Sequence, residues 1–333
     1  MGANGYMREK RSKRAMWNLL AVLALTASLT GCGGPAERAE KAAVQSTPAG
    51  EKSTENKRVV KDAFGEVEIP AQPKRVAAIY MEDYVTALGV TPVVQWYHPN
   101  WGIQEYLKLN VPKFDMTGSI EALLDASPDL IIVDGGADKA RYDMYSKVAP
   151  TYRLPDEMLN DASAILKATA DLLGMPEKAD AILKEYRKKV DDAKTALEKA
   201  VGTEKVAVIR LNVGEKTFTL FGINNRFIGS ILYRDLGLTP PPMVKEMKEF
   251  QQIISEEMIP QIDADHIILL PSNGTWASEE NKEAVQLLKS PFWKSVPAVK
   301  KGHVYQVERT HWQTGAFLAN GMKIDDLLKL LIK

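Results

Sequence analysis

A long amphipathic helix in the middle of the chain is the feature that most constrains the fold. Within MPEKADAILKEYRKKVDDAKTALEKAVG (residues 175–202), apolar residues recur every three or four positions in an otherwise charged stretch. The segment from Glu177 to Ala200 would span on the order of 36 Å, at about 1.5 Å per residue. That length predicts a rigid element that runs the height of two lobes. A surface helix on a single domain has the same periodicity and is the alternative.

Alternating strand and helix patterns flank this helix on both sides. Before it, QPKRVAAIY, TPVVQWY and PDLIIVDGG have strand patterns, whereas MEDYVTALGV, IQEYLKLN and SIEALLDA have helix patterns. After it, the alternation resumes from EKVAVIRLN to the closing MKIDDLLKLLIK. Strands that alternate with helices imply a mostly parallel sheet covered on both faces. The predicted fold class is α/β, with two α/β lobes bridged by one long α-helix.

The chain opens with the pattern of an export signal. A cationic segment, REKRSKR, precedes an uncharged apolar run that ends in LTGC at Cys32. This order is typical of a secretory signal, and the apolar run is short for a membrane span. The LTGC ending resembles the bacterial lipobox, in which the cysteine is acylated and becomes the mature N-terminus. An uncleaved anchor helix with an incidental cysteine is the alternative.

Composition and pattern together predict five segments. The residues from Gly33 to about Lys57 offer almost nothing to bury, so they are predicted to form a flexible tether, and RVVKDAFGEVEIP then alternates around a glycine as a hairpin does. The segments are a lipoprotein signal peptide (1–31), the acylated cysteine with its tether (32–57), an N-terminal α/β lobe (58–156), a helical block with the bridging helix (157–201) and a C-terminal α/β lobe (202–333).

Charge and motif content exclude several classes of function. Lys and Arg number 43 and Asp and Glu number 43, so the chain has no net field that would attract nucleic acid. The sequence contains no G-x-S-x-G, no G-x-x-x-x-G-K-[ST] and no H-E-x-x-H, and its one cysteine is assigned to the tether. We therefore expect a binding protein without catalysis and without an intrinsic cofactor.

Two stretches match between the two halves of the chain. SIEALLDASPDLII begins at Ser119 and SEEMIPQIDADHII begins at Ser255; in each, Glu follows two residues later and Asp ten residues later. Ser can cap a short helix, an acid in the first turn suits the helix dipole, and the Asp falls at the turn into the next strand. These structural roles suffice to explain the match, yet the match also predicts that the two lobes are built alike.

The order of these motifs resembles a known family. Lipobox, tether, QPKRVAAIY, the two matching stretches, the long helix and SPFWKSVPAVKKGHVYQVE are together similar to the class III substrate-binding proteins of ABC importers, the ferric-siderophore and vitamin B12 binding group. The resemblance covers the chain from Arg58 to Lys333. It implies a ligand cleft between the lobes, modest closure on binding and an iron(III)-siderophore complex as ligand. It also implies that Glu121 and Glu257 form salt bridges with arginines of the membrane permease.

Aromatic and arginine side chains in predicted loops are the candidate ligand contacts. Ligands of open α/β sheets bind at the carboxyl ends of strands, where aromatic walls suit a bulky chelate and guanidinium groups can grip anionic oxygens. Local packing of each Trp and a structural ion pair for each Arg are the alternatives, and Trp293 is expected in the core. The candidates are Tyr80, Trp96, Tyr97, Trp101, Arg210, Arg226, Trp276 and Trp312, with Arg141 and Arg309 as weaker ones.

We therefore expect a monomeric receptor, lipid-anchored through Cys32 outside the membrane of a Gram-positive cell, that hands a ferric siderophore of hydroxamate or citrate type to an ABC permease. A catecholate, haem or cobalamin ligand and a non-transport scaffold remain alternatives. A zinc or manganese binder would need several converging histidines, and the chain has four. His266 lies in a predicted strand, and a ligand role for His98 or His311 remains open.

Overall fold

A computed structural model describes residues 56–332 of the chain. The predicted signal peptide, Cys32 and all but the end of the predicted tether lie outside these residues. Within residues 56–332, no helix is both long enough and apolar enough to cross a membrane.

The described chain begins with an antiparallel hairpin, as its alternation predicts. Strand β1 (Lys57–Lys61) pairs with β2 (Glu66–Pro70), with Val59 opposite Glu68. The Asp62 carboxylate accepts hydrogen bonds from the backbone N–H groups of Phe64 and Gly65, which closes the turn. Asp62 also accepts from the backbone N–H of Arg153, so the hairpin is fastened to the first lobe.

Parallel strands form the framework of the N-terminal lobe. One sheet has the order β3-β6-β7 and a second, two-stranded sheet pairs β4 with β5. The residues of β3 and β6 are all buried, as expected of strands covered by helices on both faces. The elements of this lobe are β3 (Val76–Ile79), α1 (Glu82–Ala87), β4 (Gln95–Tyr97), β5 (Lys113–Asp115), α2 (Glu121–Ala126), β6 (Leu130–Val133), α3 (Lys139–Tyr145) and β7 (Thr151–Arg153).

The predicted bridging helix is present, and its two halves belong to different cores. Helix α4 (Ala162–Leu172) precedes it, and α5 runs from Pro176 to Val201. Ala179 and Leu183 pack in the core of the N-terminal lobe, whereas Leu197 packs in the core of the C-terminal lobe. Pro at the first helical position and Gly202 after the last fit the usual start and stop signals of a helix. The prediction of two α/β lobes joined by one long helix is confirmed.

A mixed five-stranded sheet forms the C-terminal lobe. Its order is β10-β9-β8-β11-β12, in which β8, β11 and β12 are parallel and β9 and β10 are antiparallel to their neighbours. The elements are β8 (Val206–Leu211), β9 (Thr217–Phe221), α6 (Pro242–Glu246), β10 (Gln251–Ser255), β11 (His266–Leu270), α7 (Asn281–Val285), α8 (Pro291–Ser295), α9 (Pro297–Lys300), β12 (Val304–Gln306), α10 (Arg309–Trp312) and α11 (Phe317–Leu331).

Several short helical turns complete the fold. SEEMIPQI, whose serine the sequence places at the start of a short helix, forms the 3-10 turn Glu256–Gln261, and the segment after Asn225 forms the π-helical turn Ser230–Asp235. Pro260 lacks the N–H that a longer regular helix would use, which limits the first of these turns. Other 3-10 turns span Glu105–Leu107, Asp156–Met158 and Gln286–Lys289.

The sequence match between the halves corresponds to equivalent positions in the two sheets. Asp129, just before β6, accepts hydrogen bonds from the backbone N–H groups of Lys74 and Arg75, which lead into β3. Asp265, just before β11, accepts from the backbone N–H of Lys205, which leads into β8. Each Asp therefore fixes the start of the neighbouring parallel strand, so the two lobes share this detail of construction.

The last helix joins the lobes a second time, which the sequence did not indicate. At its start, Phe317 and Ala319 pack in the core of the N-terminal lobe, whereas Ile324 and Leu327 pack in the core of the C-terminal lobe. The buried carboxylate of Asp83 on α1 accepts hydrogen bonds from the backbone N–H groups of Leu318 at 2.8 Å and Ala319 at 3.1 Å. These N–H groups have no partner within their own helix, so the contact caps α11 from the opposite lobe.

Candidate functional site

A cleft of about 1120 Å³ opens between the lobes at the carboxyl ends of the parallel strands. Its walls include residues that follow β3, β4 and β6 in one lobe and residues at the ends of β8, β11 and β12 in the other. Its volume slightly exceeds the roughly 300–1,000 Å³ that small-molecule sites usually occupy. Residues that line it include Tyr80, Trp96, Trp101, Gln104, Met116, Asp134 and Arg141 from the N-terminal lobe, and Arg210, Arg226, Gln251, Asn273, Arg309 and Gln313 from the C-terminal lobe.

Stacked rings form the wall that the N-terminal lobe contributes. Trp96, at the middle of β4, is 5% exposed, whereas Trp101 is 60% exposed at the rim. The Trp96 and Trp101 rings are stacked with centroids 6.5 Å apart, and the His98 ring lies beside them, 4.0 Å from Trp101 and 6.2 Å from Trp96, in nearly parallel planes. Tyr80 meets Trp96 edge to face at 4.8 Å. An exposed Trp held by a stack is a preformed apolar surface for a large ligand.

The turn that carries Trp101 is built around His98. The backbone N–H groups of Trp101 and Gly102 donate to the carbonyl of His98, and the backbone N–H of Asn100 donates to His98 Nδ1 at 3.1 Å. His98 itself is not part of the cleft wall, so it supports an aromatic contact rather than forming one.

Tyr80 is held in an unusual backbone conformation where β3 enters the cleft. Its φ of 59° lies in the left-handed region, which an aromatic residue rarely adopts without a structural or functional constraint. Burial, with a further contribution from the Asp134 carboxylate, raises the pKa of the Tyr80 phenol to about 12. The phenol is therefore neutral at physiological pH and can both donate and accept a hydrogen bond.

Behind this wall lies a buried acid, Glu82. One of its carboxyl oxygens accepts the backbone N–H of Trp96, and the other has no hydrogen-bond partner. Burial raises the pKa of Glu82 to about 8, so the group is largely protonated at neutral pH. This carboxyl fixes the backbone of the aromatic wall without adding a charge beside the cleft.

Two arginines of the C-terminal lobe bring positive charge into the cleft without a balancing acid. Among residues 56–332, no carboxylate oxygen lies within 4 Å of the guanidinium of Arg210 or of Arg309. Arg210 on β8 donates only to Thr219 Oγ1 at 3.1 Å and Asn212 Oδ1 at 3.4 Å, and its Nε has no partner. Burial lowers the pKa of Arg210.

Arg309 is held at the start of α10 by neutral oxygens alone. Its guanidinium donates to the Ser272 carbonyl and to the side-chain oxygens of Asn273 and Gln313. Burial, and secondarily the positive charge of Arg210, lowers the pKa of Arg309 to about 10. Both guanidiniums stay charged at neutral pH. Because the two positive charges repel each other, the pair favours the binding of an anionic group.

Arg226 is engaged differently from the other arginines. Its Nη2 lies 3.6 Å from Asp134 Oδ2, so it forms an ion pair between the two lobes at the floor of the cleft, and its guanidinium also lies over the Phe227 ring. Both side chains are mostly shielded, at 28% and 18% exposure. Its charge is therefore largely compensated before a ligand arrives, in contrast to Arg210 and Arg309.

The loop after β6, which carries Asp134 into the cleft, is shaped by a buried arginine. Arg153 donates from Nε to the carbonyl of Ala137 at 3.0 Å and from Nη2 to the carbonyl of Gly135 at 2.7 Å. These bonds satisfy carbonyls of an irregular segment that would otherwise be buried without partners. The loop is thereby held in one conformation on the cleft wall.

Three of the predicted aromatic contacts lie outside the cleft wall. The structure corrects the expectation for Trp312, which is fully buried because its indole N–H donates to Asp326 Oδ2 at 2.8 Å and turns the ring into the core. Trp276 packs against the core of the C-terminal lobe and donates its N–H to the carbonyl of Val307. Tyr97 points away on β4, with Lys113 over its ring.

His311 and His266 serve the framework. His311 is buried and lies 2.7 Å from Asp326, the acceptor that also holds Trp312, and it does not line the cleft. His266 is buried on β11 and lies 2.7 Å from Glu204, as a strand histidine would. Within residues 56–332, no group of three His, Cys, Asp or Glu side chains is arranged to hold a metal ion.

The cleft also contains the two weaker arginine candidates and several residues that the sequence did not single out. Arg141 and Arg309, the weaker arginine candidates, both line it, and so do Asp134, Gln104 and Gln313. No sequence pattern marks Asp134, Gln104 or Gln313, because each depends on how a loop turns after its strand. Trp293, expected in the core, is 4% exposed and stacks on Phe218.

The two glutamates carried over from the family resemblance are both exposed. Glu121 begins α2 and Glu257 lies in the first turn of Glu256–Gln261, so they occupy matching places in the two lobes. The Ser255 hydroxyl lowers the pKa of Glu257 by hydrogen bonding, which keeps that carboxylate charged.

Comparisons with known proteins agree with this architecture. The sequence profile of the family described as periplasmic binding protein matches residues 83–309. The iron(3+)-hydroxamate-binding protein FhuD of Bacillus subtilis is 33% identical over 300 residues, which cover 86% of this chain and 88% of that protein. The probable siderophore-binding lipoprotein YfiY of the same organism is 29% identical over 307 residues, which cover 87% of this chain and 92% of that protein.

A solved structure extends the likeness to three dimensions. It is a FhuD fold-family periplasmic binding protein component of a Fep/Fec-like ferrichrome ABC transporter from Bacillus subtilis, and it matches with a TM-score of 0.68 at 30% identity. The match covers 82% of this chain and all of that one. The resemblance drawn from the motifs is confirmed: the chain belongs to the periplasmic binding protein family, in the group of iron-siderophore-binding proteins of ABC transporters.

Proposed function

We propose that this protein is an extracytoplasmic receptor that captures a ferric siderophore between its lobes and delivers it to an ABC permease. The observation that carries the proposal is the pair Arg210 and Arg309, which are shielded, charged and without a carboxylate partner beside an aromatic wall. An uncompensated buried charge is costly, so its retention favours an anionic ligand that supplies the missing partner. Binding and release, with no bond made or broken, is all that this role requires.

The cleft favours a hydroxamate or citrate-type chelate. Its N-terminal wall offers the apolar faces of Trp96 and Trp101, and its C-terminal wall offers two free guanidiniums, which suits a ligand with an apolar body and few free negative charges. A trianionic catecholate would call for a denser cluster of free cations, since Arg226 is already paired with Asp134. FhuD, the hydroxamate-binding relative, supports the same class of ligand.

A fluorescence titration tests the proposal and its alternatives. The wall tryptophans should be quenched by Fe(III), so we expect saturable loss of intrinsic fluorescence when the full-length protein is titrated with ferric ferrioxamine B or ferric citrate. Zinc, haem, cobalamin and a ferric catecholate are the comparison ligands. A response to haem or cobalamin alone would assign another chelate, and no response to any of them would favour a non-transport scaffold.

We also propose that Glu121 and Glu257 dock the receptor on its permease. Each is exposed at the start of an equivalent helical turn, so the two carboxylates can contact two subunits of a partner at once. Exposed ion pairs contribute little affinity one by one, and their effect is expected mainly on register and on-rate. Reversing both charges, as Glu121→Arg with Glu257→Arg, should abolish iron uptake by cells while chelate binding stays intact. Undiminished uptake in the double variant would refute the docking role.

The membrane attachment is the third part of the proposal. Cys32, at the end of the apolar N-terminal run, would carry lipid, and the polar residues after it would form a tether to a monomeric receptor outside the cell membrane. YfiY, a relative that is named a lipoprotein, supports this reading. Cys32→Ala should move the protein from the membrane fraction of a Gram-positive host to the medium or leave its signal uncleaved. Unchanged membrane association together with normal processing would contradict it.

A further inference from the structure

Unpartnered polar atoms are concentrated in the cleft. Among residues 56–332, seven buried side-chain nitrogen or oxygen atoms have no hydrogen-bond partner, and four of them belong to the cleft residues Gln104, Arg210 and Gln313. Buried polar groups are nearly always paired, because each unpaired one costs stability. Their accumulation in one place points to partners that arrive with a ligand.

Gln104 is the extreme case. Its side chain is 6% exposed, and both its Oε1 and its Nε2 lack a partner. This holds whichever way the amide is turned, since the donor and the acceptor are both free. Arg210 and Gln313, in contrast, each use other atoms of the same side chain in hydrogen bonds with the protein.

The backbone of Gln104 is firmly placed even though its side chain is free. Its carbonyl accepts the side-chain amide of Gln95 at 3.2 Å and the backbone N–H of Leu107 at 3.1 Å. The short helix that follows is anchored by Tyr106, whose hydroxyl donates to the buried carboxylate of Asp83 at 2.7 Å. A fixed backbone with an unpaired amide is the arrangement of a preorganised recognition group.

We propose that Gln104 is a specificity-determining residue that pairs with a secondary amide of the bound chelate. The Gln104 Nε2 can donate to a C=O and its Oε1 can accept an N–H. A trans secondary amide presents these two groups on opposite sides, so Gln104 can pair with either one, or with the C=O and N–H of two different amides. The iron-bound oxygens of a hydroxamate carry no such N–H, so the group recognised lies in the organic frame that links the chelating units. Gln104 lines the cleft, so its amide lies beside the space that the chelate would occupy. This inference rests on the proposed siderophore-binding function.

The test compares two chelates and two variants of the full-length protein. Ferric ferrioxamine B contains secondary amides in its frame, whereas ferric citrate contains no nitrogen. Gln104→Met keeps the length of the side chain and removes its polar atoms. Gln286→Met is the matched control, because Gln286 is an exposed residue at the start of the 3-10 turn Gln286–Lys289, does not line the cleft, and donates from its amide to the Lys282 carbonyl. Affinity is measured by fluorescence titration and stability by thermal unfolding without ligand.

We expect Gln104→Met to lower affinity for ferric ferrioxamine B by about tenfold and to leave affinity for ferric citrate within about twofold. The same change should raise the unfolding temperature of the unliganded protein by about 2 °C or more, because it removes two unpaired buried polar atoms. A residue that served only the fold would instead lose stability on substitution. Gln286→Met should change neither quantity.

Three results would count against these ideas in different ways. Equal binding of ferric ferrioxamine B by wild type and Gln104→Met would overturn the role of Gln104 while leaving the receptor function intact. So would binding of ferric citrate alone by the wild type. Failure of the wild type to bind any ferric chelate would overturn the proposed function itself, together with the inference that rests on it.

Discussion

Replacement of Arg210 by Met should weaken ligand binding without lowering the stability of the fold. In the unliganded protein the guanidinium has only two neutral partners, Thr219 and Asn212, and one of its nitrogens is unpaired. These two partners remain satisfied without it, because the Thr219 hydroxyl donates to Asn212 Oδ1 at 3.0 Å. Arg210→Met therefore leaves no orphaned polar group and removes a partly buried charge, so the free energy of unfolding should stay the same or rise.

Ligand binding should respond in the opposite direction. A hydrogen bond to a charged group contributes roughly 1.5–3 kcal/mol, and about 1.4 kcal/mol corresponds to a tenfold change in dissociation constant. Loss of one guanidinium contact to an anionic oxygen should therefore weaken chelate binding by about 10- to 100-fold. Arg187→Met, at an exposed position on α5, is the matched control and should leave affinity unchanged.

The assay pairs equilibrium titration of the full-length protein with ferric citrate and thermal unfolding of the same samples. Weaker binding with undiminished stability is the expected combination. Affinity within twofold of wild type would refute the assignment of Arg210 as a ligand contact. A large loss of stability would show that the guanidinium supports the fold through contacts other than those described.

The remaining predictions concern the wall, the lobe junction and a buried acid. Because burial raises the pKa of Glu82 from 4.5 to about 8, wild-type stability should fall as pH rises from about 4.5 to about 8, and Glu82→Gln should remove up to about 5 kcal/mol of that fall in pH-dependent denaturation. Asp83→Ala should cost about 2–4 kcal/mol in urea unfolding, because α11 loses its cap across the lobes. Trp101→Ala should weaken chelate binding about tenfold in the same titration with little effect on stability, whereas Trp276→Ala should lower stability and spare affinity.

The architecture was accessible from the sequence because it depends on periodic burial. The apolar stripe of α5 follows the 3.6-residue repeat of a helix, and β3 and β11 are short runs in which every residue is buried. Both patterns can be recognised in a single sequence. The matching stretches at Ser119 and Ser255 also located equivalent turns. Strand β10 escaped prediction because its QQIIS sequence pairs two polar residues with two apolar ones and so lacks the alternation of a half-buried strand. Helix α11 was assigned to one lobe because sequence periodicity does not say what a buried face packs against.

The individual site residues were less accessible, for a different physical reason. Whether a tryptophan near a strand end faces the cleft or the core depends on where its indole N–H finds an acceptor: Met116 Sδ lies 2.8 Å from the Trp96 nitrogen, whereas Asp326 draws Trp312 inward. Gln104 carried no signal at all, since an unpaired amide is a property of its surroundings. Arg226 likewise differs from Arg210 in having an acidic partner, Asp134, but the two residues come together only in the folded structure.

The most direct test of the central claim is whether iron travels with the protein. Full-length protein is incubated with ferric ferrioxamine B or ferric citrate, passed over a size-exclusion column and assayed for iron in the protein peak. The account predicts about one iron per chain for at least one of these chelates, with the iron reduced in Arg210→Met and unchanged in Arg187→Met. A wild-type peak free of iron with both chelates would contradict it.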